Sequence, residues 1–377
     1  MNRMILAAIA LCATAAHAEI AVSINDGKQL VRGETTGVVP DSVSVIEMRP
    51  TPHVVGTVPA PTAMIGAPVA TWVAPNQSFA IVTASQKVNP ADPMKPSDDD
   101  RVSVIGLADP AHPRVLQTVQ AGPGASGVAV NRAGNLVLVA ARMQGAVRIF
   151  TLAGKRLTPA GSVDLGAGSE PTDVLFTPDG RHAYAVTWHA GKVMELAVDG
   201  TTVTRTRNDI ATGRDAYGAV VTPDGRWLIN TNVGGSGDIR TGTLTMIDLT
   251  EHRLVLTLPV GKTPEHVTLS PDGRQIAVVL ANGAATSSTD PRYGAVVGML
   301  KIFAIGAGKL DEVASADTCH WAQGAAWSDD GRTLLQQCAA ERAIQVFHFD
   351  GHTLTRDDAA TMTFAARPGA VATHRTR

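Results

Sequence analysis

The chain has 377 residues, 18% of them charged and 4% aromatic, with a formal net charge of −2. Its Lys and Arg are scattered, so no basic patch is offered to nucleic acid or to an anionic membrane, and stacking platforms for bases are not expected. The length suits one large domain, and none of it after the leader described next is apolar enough to hold the chain in a bilayer.

Residues 1–18 read as a secretory signal, with a basic start at Arg3, an apolar run over 4–13 and Ala16-His17-Ala18 as the small-x-small cleavage site. Cys12 lies inside this leader and outside any Leu-x-Gly-Cys setting, so no lipid anchor is expected. The mature chain, 19–377, is expected in the periplasm or outside the cell as a single domain. Segments 20–24, 43–48 and 54–58 read as strands, and 68 onward begins a unit that recurs along the chain.

The unit is marked by a turn phrase: Thr177-Pro178-Asp179-Gly180-Arg181, Thr222-Pro223-Asp224-Gly225-Arg226, Ser270-Pro271-Asp272-Gly273-Arg274 and the worn Ser328-Asp329-Asp330-Gly331-Arg332. Proline presets φ, Asp tolerates the next position and Gly accepts the left-handed one, which is the chemistry of a tight hairpin. Apolar stretches flank each turn, such as Val174-Leu175-Phe176 before and Ala183-Tyr184-Ala185-Val186 after, and alternating stretches such as Lys192-Val193-Met194-Glu195-Leu196 follow. Four antiparallel strands in a repeat of about 50 residues make a β-propeller blade, whereas a β-sandwich would not place the same turn at the same point of each unit. Inner strands are expected near 68, 125, 171, 216, 264 and 322. The seventh blade is expected from the ends: 368–374 reads as an inner strand without a following hairpin, and pairing it with the three N-terminal strands closes the ring and leaves no sheet edge open. The fold class is therefore all-β, a seven-bladed propeller.

Cys319 and Cys338 flank the worn turn and fall within about two residues of a cross-strand register. A disulfide is expected, and a redox-active pair is the alternative, although no Cys-x-x-Cys occurs.

Three insertions, 87–101, 234–242 and 283–294, each separate a second strand from a third, which puts them on the face opposite the Pro-Asp-Gly turns. Long loops on a rigid scaffold carry binding, so that loop face is the expected working side and the turn face the quiet one. Aligning the inner strands by their turns brings Glu170, Thr172, Asp173, Asp215, Tyr217, Glu265, His266, His320, Trp321, Gln323 and Arg367 to the channel mouth, above smaller residues such as Ala219, Ala325 and Ala372. A polar mouth over an apolar wall suits a small polar molecule. Solvated channel residues would look the same.

Metal ligation is not expected: there is no His-Glu-x-x-His, His348 and His352 straddle a hairpin on the turn face, and Asp98-Asp99-Asp100 lacks calcium-loop spacing and reads as a solvated charge run. No cofactor is expected, haem attachment being set aside because Cys-x-x-Cys-His is absent, and Ser-His-Asp catalysis is not expected because no Gly-x-Ser-x-Gly elbow occurs. What remains is acid–base work by Glu265, His266, Asp173 or Asp215, with Arg367 as an anion clamp, as in hydrolysis of a lactone by an activated water.

The run Thr177-Pro178-Asp179-Gly180-Arg181-His182-Ala183-Tyr184-Ala185-Val186-Thr187 resembles the YVTN-type propeller repeat, Pro-Asp-Gly-Arg-x-x-Tyr-Val-x-Asn, with Thr in the Asn place. The resemblance covers nearly the whole mature chain and extends to the lactonase branch, which carries Pro-Arg-His at the start of an inner strand and Asn-Glu after a second strand. Here those positions read Pro264-Glu265-His266 and Asn282-Gly283, so proline and histidine match, an acid replaces arginine and the glutamate is missing. The resemblance implies a seven-bladed propeller that binds a small polar ligand or a cell-envelope protein on its loop face, or alternatively a lactone hydrolase or related lyase or isomerase with His266 as acid or base.

Overall fold

A computed structural model describes residues 18–30, 38–92, 95–234, 241–285, 291 and 293–374. Residues 1–17 of the expected signal segment and the inner parts of the three insertions, at 93–94, 235–240 and 286–290 with 292, lie outside the described residues.

The first strands of the seven blades are Thr71–Val73, Ala125–Val130, Pro171–Phe176, Ala216–Val221, Pro264–Leu269, Ala322–Trp327 and Arg367–Thr373, called blades 1 to 7 in that order. Each of the six predicted starts lies within three residues of the observed one. Every blade is an antiparallel sheet of four strands, blade 3 carrying an extra fragment, Ile210–Ala211, paired beside its fourth strand. Blade 7 closes the ring as expected: Arg367–Thr373 pairs with Ile20–Asp26, which pairs with Ser42–Glu47 and then His53–Pro59. Among the described residues the only helical element is a three-residue 3-10 turn, Arg142–Gln144.

The turn phrase does more than reverse the chain. In blade 3, Gly180 N donates to Thr177 O at 2.9 Å, Gly180 takes φ +68°, Thr177 Oγ1 donates to Asp179 Oδ1 at 2.6 Å and Arg181 N donates to the same oxygen at 3.0 Å. Blades 4, 5 and 6 repeat each of these bonds, and the worn copy keeps them because Asp330 and Ser328 stand where Asp and Thr are needed. The proline is the dispensable member. Its loss removes only a preset φ, while the Ser/Thr-to-Asp bond that shapes the turn survives.

The apolar core lies between blades. Leu136, Leu138, Val147 and Ile149 of blade 2 pack on Val174, Ala183, Ala185, Met194 and Leu196 of blade 3, all of them buried. Alternation along each strand sends successive side chains to the two neighbouring blades, so every sheet is covered on both faces.

At the loop face a second repeated device appears. The residue just before an inner strand is left-handed in blades 2 to 6: Gly124, Glu170, Asp215, Thr263 and Trp321, with φ between +46° and +75°. Its carbonyl accepts from the amide just after the second strand, namely Arg142, Trp188, Val233, Ala281 and Ala339, at 2.9 to 3.1 Å. Each of these inner strands then slips register within its first four residues. Residue type varies from Gly to Trp, so the left-handed turn belongs to the blade and not to any one residue's chemistry.

Cys319 and Cys338 form the expected disulfide, with Cα atoms 5.6 Å apart. Cys338 pairs in register with Ala322, three residues beyond Cys319, so the bridge ties the lead-in loop of blade 6 to the end of its second strand.

Candidate functional site

All three insertions spring from one face. Gly124 N and Ala121 N bond to Asp99 O and Asp100 O at the base of the first, Gly234 N bonds to Arg214 O at the base of the second, and Trp321 N bonds to Ala284 O at the base of the third. The charge run is only partly solvated as its sequence suggested: Asp98 is exposed and Asp100 half-buried, but the residue between them is not. Asp99 is 2% exposed, and its Oδ1 accepts from the amides of Asp100 and Arg101 while both carboxylate oxygens meet the Arg101 guanidinium, because a carboxylate fastens this loop base.

The channel mouth is partly filled by the chain itself. Residues 62–69, the connection into blade 1, cross it. Gly66 sits against Ser126 of blade 2 and donates its amide to the Tyr217 hydroxyl, Ser85 Oγ of blade 1 donates to Ile65 O, and Met64, Ala67 and Pro68 lie over Gly369, Gly218 and Gly324 of blades 7, 4 and 6. These three glycines share one position in their inner strands, but the crossing segment leaves no room for a Cβ only at Gly369: at Gly324 the closest atom is Gln337 Oε1 at 2.8 Å, and at Gly218 nothing lies nearer than 3.7 Å. At Gly369 an added Cβ would stand 2.5 Å from Met64 Cβ and 2.9 Å from its Cα. Gly369→Ala is expected to destabilise the protein by about 1–3 kcal/mol, read as a lowered midpoint in urea; an unchanged midpoint would show that the segment does not seat there.

Beside the plug, over blades 3 to 6, a crescent of polar and aromatic side chains remains. Arg142 binds Glu170 (Nη2 to Oε2, 2.9 Å) and lies 5.5 Å over the Trp188 ring, and His189 Nε2 reaches Glu170 Oε1 at 3.2 Å. Trp188 meets Tyr217 edge to face at 5.0 Å. Thr172 Oγ1 donates to Tyr217 O at 2.6 Å, and across the channel Gln323 Nε2 donates to Glu265 Oε2 at 2.6 Å. Glu265 is half-buried and ringed by protein, and that burial pushes its carboxyl up to about 8, only partly offset by the Gln323 bond. It is therefore a neutral acid at pH 7, able to donate as well as accept. Gln323 is 2% exposed, and its Oε1 has no hydrogen-bond partner among the described residues. The Tyr217 hydroxyl is likewise held protonated, burial being the main cause and Glu265 the next.

Other sequence-predicted residues are engaged elsewhere. Asp173 is fully buried; Oδ1 accepts from Val174 N at 2.7 Å and Oδ2 from Ala219 N of blade 4 at 3.0 Å. His266 repeats this bond two blades on, its Nδ1 accepting from Ala325 N of blade 6 at 3.0 Å. That leaves the ring proton on Nε2. In both cases the register slip of the next inner strand frees an amide, and the preceding blade supplies the acceptor. Arg367 is 1% exposed and spends its guanidinium on Gln29 O, Ala339 O and Ala340 O across the ring closure. His320 lies apart from the crescent, stacked at 3.6 Å on Tyr293 with Nδ1 on Glu341 and Nε2 on Tyr293 O, where it pins the third insertion to blade 6. Asp215 and Trp321 occupy left-handed positions at the rim. Arg142, Trp188 and His189 went unnoticed in the sequence; the signal available was their place just after a second strand, on the rim the insertions share. Among the described residues one trio of potential metal ligands converges, Cys319, Cys338 and Glu341, and the two sulfurs are already bonded to each other. Among the described residues no helix is long and apolar enough to cross a membrane.

A family model described as lactonase, 7-bladed beta-propeller, matches residues 106–290. Among solved structures the chain is similar to a Bacteroides uniformis protein with an assigned 6-phosphogluconolactonase role, at 17% identity and a TM-score of 0.71 over 94% of this chain and 98% of that one. It is similar to the periplasmic gluconolactonase of Pseudomonas aeruginosa, at 15% identity and a TM-score of 0.69 over 95% and 99%. Hydrazine synthase of Kuenenia stuttgartiensis also matches, at 16% identity and a TM-score of 0.60 over 78% and 79%. A search of curated proteins finds no match. At such identities the structures share a fold across unlike activities. Blade count, ring closure, turn phrase and family match agree: the chain is a lactonase-like seven-bladed β-propeller.

Proposed function

We propose that the chain is an exported protein of the periplasm or extracellular space that binds a small polar ligand in the crescent beside the plug. The observation that carries this reading is the Glu265–Gln323 pair: a carboxyl held neutral at pH 7 beside a buried amide oxygen without a partner. Such a pair can donate to a ligand carbonyl and accept from a ligand hydroxyl, while Trp188 and Tyr217 supply a flat apolar wall. The guanidinium of Arg142 is already matched by Glu170, so the ligand favoured is uncharged at the atoms facing this pair.

A second reading, hydrolysis of a lactone at the same place, is supported by the lactonase family match and the gluconolactonase neighbour. In it water adds to the acyl carbon and loses a proton to solvent, the ring C–O bond breaks, and the departing ring oxygen takes a proton from Glu265, which is reprotonated from solvent. His266, with Nδ1 committed to Ala325 N, would act through Nε2.

Glucono-δ-lactone and gluconate, tested by thermal shift and by pH-stat titration, separate the readings. Stabilisation without proton release, lost in Glu265→Gln, is the expected result. Proton release abolished by Glu265→Gln supports the hydrolase; release that survives it and is lost in His266→Ala moves the chemistry to the histidine. If neither compound stabilises the protein or turns over, the ligand class is wrong.

A further inference from the structure

The turn face is not quiet between blades 2, 3 and 4. A pocket of about 420 Å³ opens there, walled by Arg132, His182, Asp179, Asp224 and His252, with Tyr184 and Glu195 at its floor and Pro178, Pro223 and Leu249 between them. That volume lies within the range of small-molecule sites.

Its floor is built with care. Glu195 is 1% exposed, on the third strand of blade 3. Oε1 accepts from the Tyr184 hydroxyl at 3.1 Å; Oε2 accepts from Thr206 Oγ1 at 2.7 Å and Asn208 Nδ2 at 2.8 Å. Burial by itself would push this carboxyl up, but these bonds, with His252 nearby, hold it below the ordinary value, so it stays ionised. To deliver Thr206 and Asn208 the fourth strand of blade 3 stops at Arg205, and pairing with the third strand resumes only at Ile210. Blade 6 also skips four residues, 358–361, in the pairing of its fourth strand, but among the described residues only blade 3 breaks that strand in two.

The one basic partner of Glu195 among the described residues is His252, whose Nδ1 stands 3.5 Å from Oε1 while the side chain is 45% exposed. His252 is left-handed, φ +50°, in the turn between the third and fourth strands of blade 4. The other such turns that contain a left-handed residue spend a glycine on it: Gly154, Gly200, Gly308 and Gly351. A histidine there costs on the order of 1 kcal/mol, and what it gains is an imidazole fixed at the pocket wall by a buried carboxylate, with Nε2 left over.

The walls mix donors with acceptors. Asp179 and Asp224 use Oδ1 within their own turns and have no hydrogen bond on Oδ2 among the described residues. Arg132 and His182 supply N–H groups, and the Nε2 of His252, whose Nδ1 faces the Glu195 carboxylate, supplies an acceptor. A phosphate would face two ionised carboxylates, and an alkylammonium would face a guanidinium and two imidazoles. A hydroxyl satisfies both kinds of wall, donating to a carboxylate and accepting from an N–H, and the proline and leucine faces suit the C–H surface of a ring.

We propose that this pocket is a second binding site, separate from the channel mouth, for a neutral polyhydroxylated ligand of saccharide or polyol type, with His252 positioned by Glu195 to accept from a ligand hydroxyl through Nε2. Calorimetric titration of the full chain with maltose, cellobiose and sorbitol, against putrescine and inorganic phosphate as charged probes, tests it. Binding of at least one neutral probe is expected, weakened about tenfold or more in His252→Gly and unchanged in Glu265→Gln. His252→Gly restores the residue its sister turns use, so its melting temperature is expected to hold, and lost binding then reports the site and not the fold. Failure of every neutral probe, preference for putrescine or phosphate, or equal binding by His252→Gly each overturns the proposal. Loss in Glu265→Gln instead assigns the probe to the channel mouth.

Discussion

Glu265→Gln is expected to melt higher than the native protein at pH 8 and at the same temperature at pH 4. The carboxyl is ordinary in the unfolded chain, near 4.5, and is pushed up to about 8 in the fold by burial at the channel. Below pH 4.5 both states hold the proton and the group takes no side. Between 4.5 and 8 the unfolded chain sheds the proton while the folded one keeps it, so stability falls as pH rises through this window and levels off above it. The full shift would be worth about 5 kcal/mol. Because the carboxyl is partly open to solvent, a loss of about 2–3 kcal/mol is the better expectation, or roughly 5 °C for a domain of this size. Glutamine keeps the shape and can accept the Gln323 bond without the ability to ionise, so it removes the pH dependence and little else. Melting curves of both proteins at half-unit intervals from pH 4 to 9 check this. Parallel curves would mean that Glu265 ionises freely in the fold, and the neutral-acid basis of the channel site would go with it.

The fold was legible in the sequence because its determinants are local. The Asp and Gly of each turn phrase make their bonds within five residues, and even the worn copy at 328–332 declares itself by Ser328, Asp330 and Gly331. Ring closure was legible for a complementary reason: an inner strand without a hairpin at one end of the chain and three strands without an inner one at the other. The channel mouth was legible only as a set of residue types. That Asp173 and His266 would be drawn into capping Ala219 N and Ala325 N follows from register slips in the neighbouring blades, and no residue in the sequence announces them. The plug was hidden for the same reason. Residues 62–69 read as an ordinary connection, and the glycines beneath them, Gly218, Gly324 and Gly369, are spread over three other blades. On the turn face the opposite happened. The regularity of the Pro-Asp-Gly phrase suggested a passive surface, while the departures from regularity, His252 in a glycine place and a fourth strand broken at Arg205, serve the pocket between two copies of it.

Loss of the Cys319–Cys338 bridge is expected to cost about 3 kcal/mol, the loop-closure value for two cysteines 19 residues apart. Both residues are buried in the core of blades 5 and 6, packed with Ala322, Ala325, Trp327, Leu334 and Phe347, so Cys→Ala at both positions is the cleaner variant; serine would bury two hydroxyls as well. The consequence should not stay local. Gln337, next to Cys338, accepts from Gly324 N through its Oε1 at 3.2 Å and donates to Ser23 Oγ of blade 7 at 3.0 Å, and Gly324 follows the Gln323 that binds Glu265. Cys319 in turn precedes His320, whose bonds to Glu341 and Tyr293 hold the base of the third insertion. Reduction should therefore lower the melting temperature by roughly 6 °C and speed amide exchange first over 317–343, ahead of the other blades, because this is where the bridge helps to join loop to strand. Calorimetry with and without dithiothreitol, paired with thiol titration of the unfolded protein, checks both parts. Two free thiols before any reductant is added, or equal midpoints once titration shows complete reduction, would remove the bridge from the forces that hold the loop face in shape.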